Sequence, residues 1–425
     1  MGAPMPLDAA SVGGDIRRLY RTVRQQTGQL AAGLSDADAT AQSMPDASPA
    51  KWHLAHTTWF FEAMVLQAQQ PDYRPFDPQY AFLFNSYYET LGPRHARPKR
   101  GLLTRPTLAQ INAYRDHVDQ AVEQLLDHSS DPAGRLLIEL GCHHEQQHQE
   151  LLLTDILHLF AENPLHPAYR PMHRESRPAV LKGPLTYTPY PGGVVEIGHA
   201  GPHFAFDCEG PRHRVIRPAY RLANRCVTNR EWLEFMSDGG YRTPLLWLSD
   251  GWTESQRQGW TMPPYWWEEG GAYFSMTLQG AQPVELDAPV VHVSYFEADA
   301  YASWAGKRLP TESEWESAAQ NEPCEGNFAD SGLLRAAPNT GIGVGPQQLF
   351  GDVWEWTRSA FAPYPGYRPT AGAVGEYNGK FMSGQYVLRG GSCVTPANHI
   401  RATYRNFFRP DARWQFCGVR LAQDA

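Results

Sequence analysis

Apolar positions recur three or four residues apart from about residue 13 to 162, and they group into four segments, near 13–35, 49–70, 107–128 and 132–162. That period is helical, and four such segments in succession predict a four-helix bundle. Local chemistry marks where the helices begin. Ser48-Pro49 offers an N-cap and an N1 proline to the second, Thr107 a cap to the third, and Asp131-Pro132 the same pair to the fourth. The connection from Gln70 to Pro106 is long for a bundle, and loops of that length usually carry function. Between 163 and 193 stand Pro164, Pro167, Pro171, Pro178, Pro184, Pro189 and Pro191. Proline at that density excludes regular helix and predicts a semi-rigid connector. From 194 to 424 the pattern changes to short β-prone runs, glycine turns and Trp-rich loops, with helical stretches only near 228–238, 296–305 and 311–320. The fold class is therefore α+β: a helical domain over 13–162, a linker over 163–193 and a loop-rich domain over 194–424.

On the fourth helix, Leu137, Gly141, His144, His148, Leu151, Asp155 and Leu159 fall on one stripe, which is expected to face the core. His144 and His148 are four apart, so their imidazoles project from the same face one turn apart. Two imidazoles in an apolar seam must find partners or bind something. With the His53-x-x-His56 pair on the second helix, they read as a metal site. His53, His143 and His158 are read as structural. His143 lies about 100° around the helix from His144, an awkward direction for sharing a metal with His148. Metal binding needs neutral imidazoles, so affinity is expected to fall as pH drops through about 6.5. Two other readings stand beside this one. His144-Glu145-Gln146-Gln147-His148 satisfies a zinc metallopeptidase motif with Glu145 as general base, and a metal-free binding module would use the bundle only as scaffold.

Bulk properties narrow the class. The 425-residue chain carries a formal net charge of −8, which argues against nonspecific nucleic-acid binding. No apolar run reaches the length of a membrane span. The start shows no basic flank before an apolar stretch, and position 6 is Pro where a myristoylation signal wants Ser or Thr, so a cytoplasmic enzyme is expected. Cys142, Cys208, Cys226, Cys324, Cys393 and Cys417 form no Cys-x-x-Cys pair, and most of them read as buried thiols. Thirteen Trp and 20 Tyr, at a mean hydropathy of −0.49, point to aromatic-lined loops.

Five ordered motifs in the second half resemble the formylglycine-generating-enzyme domain, a C-type-lectin-like fold, over about 190–424. They are Phe206-Asp207-Cys208-Glu209-Gly210-Pro211-Arg212-His213, Val227-Thr228-Asn229-Arg230-Glu231, Arg308-Leu309-Pro310-Thr311-Glu312-Ser313-Glu314-Trp315-Glu316, Gly351-Asp352-Val353-Trp354-Glu355-Trp356 and Leu388-Arg389-Gly390-Gly391-Ser392. Formylglycine generation needs a closely placed cysteine pair after the last motif, and only Cys393 and the distant Cys417 follow. Joined to a DinB-like bundle with His56 and His144-Glu145-x-x-His148, the chain resembles the EgtB-type family from about residue 13 onward. That family comprises hercynine-dependent sulfoxide synthases of ergothioneine biosynthesis and their selenoneine synthase relatives.

The resemblance implies that His56, His144 and His148 are facial ligands of a nonhaem Fe(II) that works with O₂. It implies that Gln147 hydrogen-bonds the hercynine imidazole and that Tyr87 or Tyr88 is the catalytic phenol, the choice between them open. Asn406, Phe407, Phe408 and Trp414 are implied to close on the trimethylammonium and carboxylate of hercynine. Arg94, Arg97 and Arg100 lie near the tyrosine pair and are candidates for the donor, whether the carboxylate of cysteine or γ-glutamylcysteine or the polar groups of a selenosugar. The loop texture around 94–105 and the tail around Asn406 lean slightly to the selenium branch. All expected partners are small molecules.

Overall fold

The computed structural model describes residues 9–128, 131–171, 184–341, 345–370 and 372–425. The chain parts into two compact units between Glu162 and Asn163. The first is helical: α1 (Ala9–Ala31), α2 (Asp36–Thr40), α3 (Ala50–Phe60), a wider π turn (Phe61–Leu66) running into α4 (Gln67–Gln69), α5 (Tyr80–Phe84), α6 (Leu108–His128) and α7 (Pro132–Ala161). The four long rods correspond to the four expected segments, except that the first ends at Ala31, short of 35, where Ser35 caps the separate helix α2. Asp131 caps α7 by accepting from the N–H groups of Ala133 and Gly134, and Thr107 and Gln110 exchange bonds at the start of α6.

The start of α3 differs from expectation. Pro49 is the N-cap residue and makes no side-chain cap. Ser48 instead turns toward α7, its N–H donating to Asp155 Oδ2 at 2.8 Å while its hydroxyl accepts from Arg100 at 2.9 Å. A buried carboxylate accepts only, and it takes the donor that a free helix start would have left to water.

The stripe on α7 also differs. Leu151 and Leu159 on it are only half-buried, whereas Cys142, Leu152 and Ile156 off it are buried. The reason is that α7 packs against both α1 and α3, and a helix covered on two flanks loses its single apolar face. Gly141 sets the approach of α3. A Cβ there would lie 2.5 Å from the Phe61 ring and 3.1 Å from that of Phe60. In the π turn the Gln67 N–H reaches Glu62 O, and the Glu62 carboxylate accepts from Tyr73 Oη, Tyr114 Oη and the Phe76 N–H. Such widened turns commonly sit beside functional residues. Among the described residues no helix is long and apolar enough to cross a membrane.

The second unit is built of short strands: β1 (Tyr187–Tyr190), β2 (Gly193–Ile197), β3 (His213–Arg217), β4 (Tyr220–Ala223), β5 (Trp266–Glu269), β6 (Ala272–Thr277), β7 (Gly280–Pro283), β8 (Trp354–Ala360), β9 (Tyr386–Arg389), β10 (Asn406–Phe408), β11 (Cys417–Gly418) and β12 (Ala422–Asp424). They form sheets of order β1-β4-β12, β10-β9-β8-β11, β2-β3 and β5-β6-β7. The end of the proline-rich run thus joins a sheet as edge strand β1, where Pro189 has no ladder bond to forfeit on its open side. Residues 172–183 of that run lie outside the described residues.

Helices α8 (Asn229–Ser237), α10 (Tyr295–Trp304) and α11 (Glu312–Ala319) match expectation, while α9 (Ser249–Gln258) was not expected. Its buried positions are Gly251 and Ser255, so it carries no apolar period to read. The motif residues form the polar skeleton of this unit. Glu355 is fully buried and receives Trp315 Nε1 at 2.7 Å and Arg420 Nη2 at 2.7 Å. Glu312 receives Arg389 and Arg405, and Glu209 receives Arg401 and Thr403.

Gly141→Ala tests the close approach in the first unit. Alanine gains about 1 kcal/mol of helix propensity, but overpacking against two buried rings costs typically ~1–3 kcal/mol. A net loss is expected, seen as a lower melting temperature; a melt at or above the parent's would contradict the packing described.

Candidate metal centre

Helices α3 and α7 bring His56, His144 and His148 together, each offering one ring nitrogen, with these atoms all within 4.8 Å of one another. His56 and His144 are buried. His148 is intermediate over the whole residue, with its ring enclosed. Ring centroids lie 5.0 Å apart for His56 and His144, and 4.7 Å for each pair with His148. The planes meet steeply, at 84°, 65° and 81°, so the rings converge edge-on rather than stack.

Two of the three imidazoles, His56 and His148, are held from behind. His56 Nδ1 donates to the Phe84 carbonyl at 2.6 Å, which leaves Nε2 buried without a hydrogen-bond partner among the described residues. Trp52 and Trp59 stack on the His56 ring at 4.6 and 5.5 Å and fix its plane. His148 Nδ1 lies 2.8 Å from His53 Nδ1, and His53 Nε2 lies 3.0 Å from Asp155 Oδ2. His53, read from sequence as structural, therefore touches a member of the cluster. Its signal was present in Asp155, the one acidic residue on the histidine stripe of α7. His158 bonds Ser43 at 2.7 Å, and His143 is buried outside the cluster.

Burial pushes the His144 pKa down to about 3. His56 and His148 are lowered well below 6.5, first by burial and then by the neighbouring His144 ring. The rings therefore stay in the neutral, ligating form well below pH 6.5, which corrects the expectation that protonation near that pH would limit binding. Three neutral imidazoles fit a divalent transition metal such as iron or zinc.

Glu145 does not fit the peptidase motif. It is fully buried, with Oε2 2.8 Å from Arg24 Nη1 and Oε1 3.2 Å from Arg115 Nη2. Burial works against its charge, but the two guanidinium groups outweigh it and hold its pKa below the ordinary value. A carboxylate held ionised between two arginines is tied to them, away from the general-base role the motif assigns it.

The expected loop residues divide. Tyr88 is fully buried and stacks on half-buried Tyr87 at 4.6 Å, and its ring lies 5.6 Å from Trp59, hence one ring removed from His56. Asn85 fixes this loop by exchanging bonds with the Tyr88 backbone. Arg94 pairs with Glu89, and Arg97 bonds the Asp46 carbonyl, both at the surface. Arg100 is buried, 3.3 Å above the Trp52 ring, bonded to the Ser48 and Ser86 hydroxyls. Burial and then Arg97 lower its pKa, yet a guanidinium keeps its charge. Gln147 is half-buried on α7, one position before His148.

In the second unit Asn406, Phe407 and Phe408 form β10, with Phe407 stacked on Phe361 at 4.1 Å and Phe408 edge-on to Trp414 at 5.9 Å. A cavity of about 550 Å³ between α1 and α6, lined by Tyr20, Arg24, Arg115 and Asp119 among others, includes none of the three histidines.

Residues 19–152 match the DinB superfamily, and 186–339 with 337–425 match the sulfatase-modifying factor enzyme 1-like domain. The chain is 35% identical to a hercynine oxygenase of Mycolicibacterium thermoresistibile over 96% of its own length and 95% of the relative's. It is 34% identical to that of Mycobacterium tuberculosis, over 92% and 94%. A formylglycine-generating enzyme of Streptomyces coelicolor is 30% identical over 59% of this chain and 92% of that one.

The depressed histidine pKa values have a stability consequence of definite sign. In the unfolded chain these rings take up protons below about 6.5, whereas the folded rings do not until far lower pH. Stability is therefore complete above 6.5 and is lost as pH falls from there, by about 1.4 kcal/mol per pH unit for each ring. The melting temperature of the metal-free protein should fall steadily from pH 7 to 5, and His144→Phe should flatten that slope. A melt independent of pH over this range would contradict the burial of neutral rings.

Proposed function

The chain belongs to the hercynine oxygenase family, and we propose that it acts on hercynine, joining a selenium or sulfur donor to C2 of the imidazole with O₂ as oxidant. We further propose that His56, His144 and His148 hold the Fe(II) this reaction uses. The observation that carries this is the convergence of three neutral imidazoles with the unpartnered Nε2 of His56 aimed among them. Iron bound there would supply redox chemistry toward O₂ together with open positions for both substrates.

The remaining work falls to the chain's own residues. Gln147 is assigned to the hercynine imidazole, where an amide can donate or accept. Tyr88, or Tyr87 stacked on it, is assigned to proton delivery; the support is that the buried Tyr88 ring lies only one ring, Trp59, away from His56. Arg100 is assigned to the donor. It is a buried cation whose bonded partners among the described residues are hydroxyls and not a carboxylate, so it suits the hydroxyls of a selenosugar or the carboxylate of cysteine or γ-glutamylcysteine. We take the selenosugar first, as the sequence leans. Arg94 and Arg97 have other engagements and are assigned only to shaping the loop. Asn406, Phe408 and Trp414 are assigned to the hercynine carboxylate and trimethylammonium, with Phe407 as support behind them.

The test is anaerobic reconstitution with Fe(II), then hercynine and O₂ with 1-selenoglucose, cysteine or γ-glutamylcysteine in parallel, products being weighed by mass spectrometry. A hercynine adduct is expected, its mass naming the donor, and His148→Ala should lose both iron and product. Bound iron with no adduct from any donor would overturn the reaction, and full iron content in His148→Ala would overturn the ligand set.

A further inference from the structure

We propose that Asp155 and His53 form a positioning pair that turns His148 toward the metal, and that His53 is not itself a ligand. The inference rests on the reading of the triad as a metal site. Its logic is one of donors and acceptors. Asp155 is a carboxylate and only accepts, so at 3.0 Å from Oδ2 the Nε2 of His53 must be the donor. An imidazole that carries its one proton on Nε2 has its lone pair on Nδ1, and that atom of His53 lies 2.8 Å from His148 Nδ1. The proton between these two atoms belongs to His148, and the lone pair of His148 is thereby placed on Nε2, the nitrogen left for the metal. The opposite tautomer of His148 would set two lone pairs face to face at hydrogen-bond distance.

The end of the chain is fixed as well. Oδ2 also accepts the Ser48 N–H at 2.8 Å, which pins the carboxylate to the residue just ahead of the N-cap of α3, the helix that carries His53 and His56. His53 and Asp155 are 2% and 6% exposed, so water does not compete for these bonds. The arrangement makes His148 unlike its neighbour. His56 is backed by a neutral carbonyl, the Phe84 oxygen, whereas His148 is backed by a full negative charge relayed through one imidazole. A carboxylate behind a ligating histidine fixes its orientation and raises its basicity, and losing such support typically costs about 10- to 100-fold in metal affinity. The other carboxylate near the cluster, Glu145, is neutralised by Arg24 and Arg115 and provides no such backing.

The test uses the full metal-free chain titrated with Co(II), with the fold of each variant checked by its melting curve. His53→Phe should weaken Co(II) binding roughly 10- to 100-fold, and Asp155→Asn by about 10-fold. His53→Asn, whose Oδ1 takes the place of Nδ1 and can accept the same proton, should recover part of the loss. In ¹⁵N-histidine spectra of the Zn(II)-loaded chain, His148 should carry its proton on Nδ1 and neither nitrogen of His53 should shift as a ligand. Co(II) affinity of His53→Phe within about twofold of wild type, or a metal-bound His53 nitrogen, would overturn the inference. Should His53→Phe not fold, Asp155→Asn decides by the same twofold criterion. Wild type that takes up neither Co(II) nor Zn(II) would instead overturn the metal reading on which the inference rests.

Discussion

The first unit depends on keeping three imidazoles neutral inside a packed helical seam. A buried imidazole has two nitrogens to satisfy, and leaving either bare costs on the order of 1–3 kcal/mol. For His56 and His148 the structure meets one nitrogen from the protein side, through the Phe84 carbonyl and through His53, and turns the other inward. That requirement organises the surroundings. It draws Ser48 away from a conventional helix cap, buries Asp155 in α7, and leaves α5 and its loop positioned by the carbonyl that His56 needs. The carboxylate next to His144 in sequence, Glu145, is cancelled in place by Arg24 and Arg115. The close approach at Gly141 then sets how near the imidazole on α3 comes to those on α7.

The second unit solves a different problem with similar means. Its strands are short and its chain is mostly loop, so backbone ladders alone do not define it. Buried carboxylates at Glu209, Glu312 and Glu355 gather arginines from distant parts of the sequence. Buried ion pairs contribute little net stability compared with apolar packing, but breaking one leaves an uncompensated charge. Here each joins segments far apart in sequence, such as Cys226, Trp315, Glu355 and Arg420. The Trp-rich motifs fill the space between them.

Much of this was legible in the sequence because it is written locally. The helices announce themselves through period and through caps such as Asp131-Pro132, and the two clustered histidines on α7 through their spacing of four. What was not legible depends on which surfaces meet. The apolar stripe of α7 proved indistinct because two helices cover it. Helix α9 went unread because it packs through Gly251 and Ser255. The Glu of His-Glu-x-x-His faces arginines contributed by α1 and α6, which the motif alone does not reveal. His53 is the instructive case. Three residues before His56 it resembles a filler; the acidic Asp155 on the histidine stripe was its one signal, and the fold turns that into a bridge from Asp155 to His148.

The central claim is that one metal ion sits among His56, His144 and His148. Anomalous diffraction at the iron absorption edge, from crystals of the chain reconstituted with Fe(II), tests it most directly. The account predicts one strong peak in the first unit, in contact with His56 Nε2 and His148 Nε2 and with a ring nitrogen of His144, and not with His53. A peak elsewhere, or no peak beside these three rings in iron-loaded crystals, would contradict it.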